Sequence, residues 1–567
     1  MRLLRINGID VDIDERTAIG VDLQSYNIEE PGTTLINTTN TFTIPKTSNN
    51  LAVFGNAQDP QSLSTKIYDS SICNYWVDNE QLITNGKCRV DQIDGDRISL
   101  FIFEKADIWD ELKGVLWPDF VNSFIGWLKT EKGLYSLSSP FVGTFPNFIA
   151  EFAGNTEGLL LPMTWGNLFA QPLLDAQNAD VERLNTIFLY TKFEEGDPPV
   201  PPEVQIVTES YGGHFCIYAK TIFEYIEDTF GVNFLTSGGV LPGNIWDDPI
   251  APTMFIDSKE ISINVSGTFD NFTIYFQDGG QELPFLPHKD IRDKADKTLY
   301  DFVNSFMQEF NILKDELEVN GLPVIRLARF DDLENLAEVV DFSDRLTGKP
   351  VFKPSIPGYA QQNIIKFGTV FENGDNLLNS KTLISNNRNL DLEKTLFEID
   401  AYVPPVDIVG SDTFLDLSAK EAFKTFTFMV ADGLTDADIT VIYFETGVIA
   451  NASASLKLPK AALYSLDSEY NFLDEIITYP KWYEAAKWLT LKDIKNFEFF
   501  KQYFIRELNG SFFINKISRF NPDRSKEPTR LELIRISDKT PLTPPDLNVW
   551  VDGVGIDWED GEGDPWF

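Results

Sequence analysis

Cysteine and histidine are almost missing from this chain of 567 residues, which has three of the first and two of the second. Cys73, Cys88 and Cys216 form no C-x-x-C pair, so zinc ribbons and dithiol redox motifs are excluded. Cys73 and Cys88 fall on adjacent strands of an expected meander, where a disulfide and two free buried thiols both fit, the thiols better. His214 in "YGGHFC" and His288 in "FLPHKD" are the only imidazoles for a hydrolytic site. Cys216 lies two residues from His214 and would share a strand face with it, but catalytic pairs ordinarily come from distant segments, so both histidines are read as packed or surface side chains. G-x-S-x-G, H-E-x-x-H, Walker and dinucleotide-binding patterns do not occur. Long apolar runs are also missing. No segment approaches the ~20 residues of a membrane helix, and "MRLLRINGIDVDID" lacks the apolar core of a signal peptide. The expectation is a soluble protein that no export machinery handles. Bases are scarce: 47 Lys and Arg against 87 Asp and Glu leave a net charge of -40. That balance opposes ordinary nucleic-acid binding, which needs cations to replace counterions, yet permits nucleic acid to pass without sticking.

Apolar residues make up 43% and aromatic residues 13%, with 45 Phe, which excludes disorder as a general description of the chain. Its length implies about four domains at ~150 residues each. The stretch 33–50, "TTLINTTNTFTIPKTSNN", has almost nothing to titrate, and its β-branched alternation predicts a strand with Phe42 and Ile44 facing the core. Asn-Gly pairs predict hairpins at Asn7-Gly8, Asn85-Gly86, Asn320-Gly321, Asn373-Gly374 and Asn509-Gly510, and Asp94-Gly95 is similar.

The expected fold class is mainly β with α/β insertions (α+β), divided into five parts. Residues 1–118 read as a β-barrel-like domain closed by a helix, "ADIWDELKGVLW", with Ile108, Leu112 and Val115 on one face and Pro118 as its stop. Residues 119–214 are aromatic-rich without a sustained period, and prolines in 193–203 forbid a ladder. Residues 215–345 form an α/β region with two related helical segments, 219–234 and 296–313. Both begin Lys-Thr and end in a Phe-Gly-Val or Phe-Asn-Ile step into a strand. In the second, Leu299, Phe302, Val303, Phe306, Met307 and Phe310 form one stripe, and Thr298 with Asp301 makes a capping pair. Residues 346–539 are β-rich. Residues 540–567 are acidic, rich in Pro and Gly, and carry no base. Val549, Val551, Ile556, Trp558, Trp566 and Phe567 read there as docking residues for another surface, such as a neighbouring subunit.

Acidic clusters at 90–98 and 557–566 place carboxylates beside glycine, but neither has the spacing of a twelve-residue calcium loop. The first reads as a hairpin turn, and the second leaves a weak divalent-ion site open. Two carboxylates of a glycosidase would leave no linear motif. No catalytic, cofactor-binding or metal-binding residue is assigned.

Four stretches, in order, carry a family likeness: "INTTNTFTIPKTSNNLAVFGNA"; "AKTIFEYIEDTFGVNF"; "GYAQQNIIKFG" with "NLDLEKTLFEIDAY"; and "LNGSFFINKISRFNPDRSKEPTRLELIRIS". Together they resemble structural tail proteins of bacteriophages and prophages of the Bacteroidetes group, of the tail-associated hub kind. The resemblance implies two related β-barrel hub domains, a homotrimer around the DNA exit channel, and contacts with tube, adaptor, spike or fibre proteins. It also implies a place in the virion tail after synthesis in the host cytoplasm, with no enzymatic role, no cofactor and no metal. The long aromatic middle and the acidic C-terminal segment depart from the pattern. Alternatives are a hexameric distal tail adaptor, a tail-borne glycan or peptidoglycan hydrolase, and a receptor-binding module whose 11 Trp and 18 Tyr stack on sugars. Most of those aromatics fall in periodic patterns, which favours core packing.

Overall fold

Asn7 and Gly8 both take positive φ, 50° and 79°. The strands Arg2–Ile6 and Ile9–Val11 close on them with Ile6 opposite Ile9, a two-residue hairpin of the expected kind. The computed structural model describes most of residues 2–131, separate elements within 141–276, and most of 294–536. Asn320-Gly321, Asn373-Gly374 and 540–567 lie outside the described residues.

Not every Asn-Gly pair is a turn. The second hairpin turns at Asp78-Asn79, φ 50° and 67°, with Val77 opposite Glu80. Asn85-Gly86 sits inside the strand Glu80–Asp94, with Gly86 opposite Cys73. A Cβ on Gly86 would lie 2.6 Å from Ile83 Cγ2 and 3.0 Å from Ile102 Cγ2, so this glycine serves close packing. Asn509, φ 45°, ends a longer connection through the 3-10 turn Arg506–Leu508. Gly95 opens the two-residue link between Glu80–Asp94 and Arg97–Glu104, which makes the 90–98 cluster a hairpin.

The stretch 33–50 forms two short strands, Asn37–Thr39 and Phe42–Pro45, both on Arg97–Glu104. Asn40 leaves the ladder and accepts from the Gly20 N–H at 2.5 Å. Phe42 and Ile44 are buried as expected. Thr39 faces inward too, its hydroxyl accepting from the Ile102 N–H at 2.8 Å. Thr47 then caps the helix Ser48–Val53 by accepting from the Asn50 N–H.

These strands belong to a sheet of fourteen that runs from Ile9–Val11 through the N-terminal hairpins to Asn37–Thr39 and Val21–Gln24. There it crosses to Gly510–Phe520 and continues through Thr529–Arg535 and Trp482–Lys487 to Val351–Lys353. At the seam Val21 lies opposite Phe520 and Leu23 opposite Ile517, and Asp22 accepts from the Arg519 N–H at 2.6 Å. The expected barrels are corrected here: no closed barrel forms among the described residues. Val21–Gln24 has only two edges, one held by Asn37–Thr39 and the other by Gly510–Phe520, so the N-terminal block uses its closing edge across the seam. The mainly β class with helical insertions holds.

Pro118 starts a helix and does not stop one. The first helix is Asp107–Gly114, and Pro118 occupies the first turn of Trp117–Thr130, where its missing N–H costs nothing. Part of the region expected to be irregular is therefore helical. Further on, Ala219–Phe230 and Leu299–Glu309 each step into a strand through a left-handed residue, Gly231 (φ 66°) and Asn311 (φ 50°). The following strands, Asn233–Leu235 and Ile312–Val319, flank Leu322–Arg329 in one three-stranded sheet. All six stripe residues from Leu299 to Phe310 are buried. A seven-stranded sheet pairs Phe141–Gly143, Thr186–Phe193, Val204–Val207 and the hairpin Ile263–Thr268 with Asn271–Phe276 to the long hairpin Met429–Glu445 with Val448–Leu463.

Candidate functional site

The densest buried chemistry among the described residues lies where the helix Leu299–Glu309, the strand Leu322–Arg329, the 3-10 turn Phe330–Asn335 and the helix Asn471–Thr478 meet. Asn311 turns the chain out of the first helix, and its carbonyl accepts from the Phe330 N–H at 2.9 Å. That bond brings Arg329 and Asp331 beneath the later helix. Arg329 donates to Glu469 at 2.5 Å, and the Glu469 side chain is wholly buried. Asp331 accepts from the N–H groups of Asn471 and Phe472, both at 3.1 Å. This carboxylate caps a helix that has no side-chain cap of its own, and it faces the positive end of the helix dipole. Tyr470, at the N-cap position, sits in the left-handed region with φ 62° and donates its hydroxyl to the Gln308 carbonyl. A bulky residue tolerates that conformation only where its surroundings fix it.

Electrostatics at this junction follow from burial. Glu309, in the last turn of its helix, is pushed well above the usual carboxyl range, first by burial and then by the Glu469 charge. Its Oε2 has no hydrogen-bond partner, so nothing there offsets the cost of burying the charged form. Burial also raises Asp331, outweighing its two backbone donors and Arg329, and raises Asp332. Glu309 and Glu469 are the nearest thing to the paired carboxylates of a glycosidase. At 3% and 0% exposure both are buried.

Two further groups fasten distant segments. Arg326 forks between Asp315 at 2.6 Å and Glu498 at 2.7 Å, and Lys501 reaches Glu498 at 2.9 Å. Burial would raise Glu498, but Lys501 and Arg326 outweigh it and hold the carboxyl low. The buried Lys487 ammonium donates to the carbonyls of Phe342 and Asp344, both at 2.6 Å, and to Asp344 Oδ1 at 2.7 Å. Burial lowers Lys487 despite Asp344, while the Lys487 hydrogen bond is the first cause lowering Asp344.

His214, His288 and the acidic cluster at 557–566 lie outside the described residues. Cys216 lies on the strand Cys216–Ile217, paired with Leu159–Leu160. Cys73 and Cys88 are buried and form no disulfide with each other, and burial pushes the Cys88 thiol up to about 12. Lys46 donates to the Gly95 carbonyl at 3.0 Å, so the hairpin at 90–98 is tied to its neighbour. Among the described residues no cluster of His, Cys, Asp or Glu is placed to hold a metal ion, and no helix is long and apolar enough to cross a membrane. The Arg329–Glu469 pair had no signal in the sequence, because its partners stand 140 residues apart in unremarkable contexts.

No family model matches the chain, and no curated protein matches it. Among solved structures, the 43 kDa tail protein of prophage MuSo2 from Shewanella oneidensis is similar at 9% identity and a TM-score of 0.35, covering 94% of this chain and 97% of its own. Prophage tail protein gp18 from Listeria monocytogenes EGD-e is similar at 7% identity and a TM-score of 0.30, covering 95% of both chains. TM-scores this low do not establish a common fold.

Proposed function

We propose that this chain is a structural virion protein that forms the central hub of a phage tail tip or baseplate, a ring around the DNA exit channel. One observation carries the reading. The first and last segments that bear the resemblance, 36–57 and 508–537, supply strands on the two sides of the seam in the fourteen-stranded sheet. The segments at 219–234, 358–368 and 389–402 supply the helix Ala219–Phe230 and the strands Gln362–Thr369 and Glu393–Tyr402. The likeness therefore rests on framework elements, and the half-buried Arg326 and Arg329 and the buried Lys487 fasten that framework. In this reading the chain has no catalytic role. It assembles as a homotrimer, binds other tail proteins, and lets DNA pass along an acidic wall that offers phosphate few cations.

A net charge of -40 opposes assembly by self-repulsion, and added salt screens it. Light scattering across an ionic-strength series is expected to show trimers that gain stability with salt. Immunogold labelling is expected to mark the tail tip of particles. A stable hexamer moves the assignment to the distal tail adaptor. A chain that stays monomeric at every salt concentration, with no tail partner able to change that, overturns the hub.

A further inference from the structure

Asn-Gly pairs carry a chemistry that their role as turns does not use. The backbone nitrogen of the glycine can attack the asparagine side-chain Cγ and close a five-membered ring, because glycine has no Cβ to obstruct the approach. Whether it does so depends on how the fold holds the two residues, and the three described pairs are held differently.

At Asn7 the side-chain amide is pinned at both ends. Its Nδ2 donates to Ser71 Oγ at 3.1 Å, and its Oδ1 accepts from the Ile72 N–H at 3.1 Å. The Asn7 N–H is held too, by the Ile72 carbonyl at 2.7 Å. At the second pair the glycine is the obstacle. Gly86 is buried in the ladder opposite Cys73, where Ile83 and Ile102 crowd it. Neither pair can bring nitrogen and carbonyl carbon together without breaking these native contacts.

Asn509 is held by neither device. It is exposed, and its side chain makes no hydrogen bond among the described residues. Its backbone N–H donates to the Arg506 carbonyl at 3.0 Å, at the end of the 3-10 turn Arg506–Leu508. Gly510 is the first residue of its strand, paired with Ile505 at the end of the ladder, and strand ends open most readily. Asn509 stands in the left-handed region, with φ 45° and ψ 56°. The attack therefore needs a turn about its Cα–C bond, which a following glycine resists least.

We infer that Asn509 is a site of spontaneous deamidation, whereas Asn7 and Asn85 are protected by the fold. The Gly510 amide gives up its proton to solvent base, and the nitrogen bonds to Asn509 Cγ. The Cγ–Nδ2 bond breaks, and the side-chain nitrogen leaves as ammonia with a proton returned from solvent. Water then opens the succinimide at either carbonyl, giving aspartate or isoaspartate. No electron changes hands, and water is the only co-reactant. The product carries a new negative charge, and isoaspartate also adds a methylene to the main chain at the join between Gln502–Ile505 and Gly510–Phe520. The inference does not depend on the hub reading, since it concerns a single chain.

Peptide mapping of the full-length folded protein, aged at mildly alkaline pH in heavy-oxygen water, tests it. Conversion at Asn509, seen as loss of the amide with uptake of solvent oxygen, is expected to run roughly tenfold or more ahead of Asn7 and Asn85. It is expected to quicken as pH rises, because the attacking nitrogen must first lose its proton, and to yield isoaspartate, read by isoaspartate-specific methylation. In urea the three sites are expected to converge, since each is then an Asn-Gly pair in an open chain. The inference is overturned if Asn509 converts no faster than Asn7 in the folded protein, or if the same order persists in urea, where neighbouring residues alone set it.

Discussion

The seam sheet and the helical middle are both buried, but they are built of different materials. On the two sides of the seam the cores are mainly aliphatic, with Leu4, Ile6, Ile44, Ile98 and Leu100 on one side and Ile505, Ile514, Ile517, Leu531 and Leu533 on the other. The middle is a network of rings. Trp117 lies 4.8 Å from Phe120, 5.6 Å from Phe302 and 4.9 Å from Phe426. Phe302 and Phe306 both reach Phe428. Strands hold their neighbours by backbone ladders, so short branched side chains suffice to fill the space between layers. Helices that meet strands from far along the chain have no ladder between them, and large rings bridge the gap. Cohesion in the seam is thus shared by backbone and side chain, whereas in the middle it rests on a few large side chains.

That contrast breaks most sharply at the rings. Phe302→Ala or Phe306→Ala is expected to destabilise the middle by roughly 3 to 5 kcal/mol, the usual cost of emptying an aromatic core site. Chemical denaturation followed by exchange in 299–313 measures it, and a loss below about 1 kcal/mol contradicts the ring-network account. In the seam sheet the weak point is space and not a missing ring. Gly86→Ala places a methyl against Ile83 and Ile102, and overpacking of this kind costs about 1 to 3 kcal/mol. The same denaturation experiment, read in 71–104, shows whether the sheet absorbs it.

The charged junction separates the two regions by pH. Burial, reinforced by Glu469, raises Glu309, so the fold holds its proton more tightly than the unfolded chain does. Below the unfolded carboxyl range both states are protonated and this contribution is complete. As pH rises the unfolded chain ionises first, and stability falls by up to about 1.4 kcal/mol per pH unit until the folded group ionises too. Glu309→Gln keeps the shape without the titration. It is expected to match the unaltered protein near about pH 4 and to exceed it in the alkaline range. Thermal melts across pH check this, and a constant difference between the two proteins would show that Glu309 does not titrate on unfolding.

How much of this was legible follows from the same contrast. Alternation at Phe42 and Ile44 and the turn at Asn7-Gly8 are local, and the structure has both where the sequence puts them. Asn85-Gly86 misled because glycine serves packing as well as turns, and the core around Ile83 and Ile102 cannot be seen from a dipeptide. Pro118 misled for a related reason: proline stops one helix and starts another with the same fixed φ. The stripe on Leu299–Glu309 was legible as a buried face, but its partners Trp117, Phe426 and Phe428 were not, since ring contacts between segments far apart in the chain leave no periodic trace. The seam and the Arg329–Glu469 pair were hidden for the same reason.

The two related helices give the smallest and most local test. Each segment carries a Lys-Thr pair near its start, yet the threonines differ in role. Thr298 is the N-cap of Leu299–Glu309: its hydroxyl accepts from the Asp301 N–H at 3.2 Å, and the Asp301 carboxylate accepts from the Thr298 N–H at 2.8 Å. Thr221 lies inside Ala219–Phe230 and is buried, and Tyr218 provides no side-chain cap there. Removing the hydroxyl at Thr298 leaves an N–H at the helix start without its acceptor. Thr298→Ala is therefore expected to cost about 1 kcal/mol, and Thr298→Ser, which keeps the oxygen, a small fraction of that. Exchange at the amide of Asp301 reads the cap directly and should quicken in the alanine variant but not in the serine variant. Equal quickening in both would mean that the Thr298 methyl group, and not its hydroxyl, holds the start of this helix, which would make it as dependent on packing as its uncapped relative.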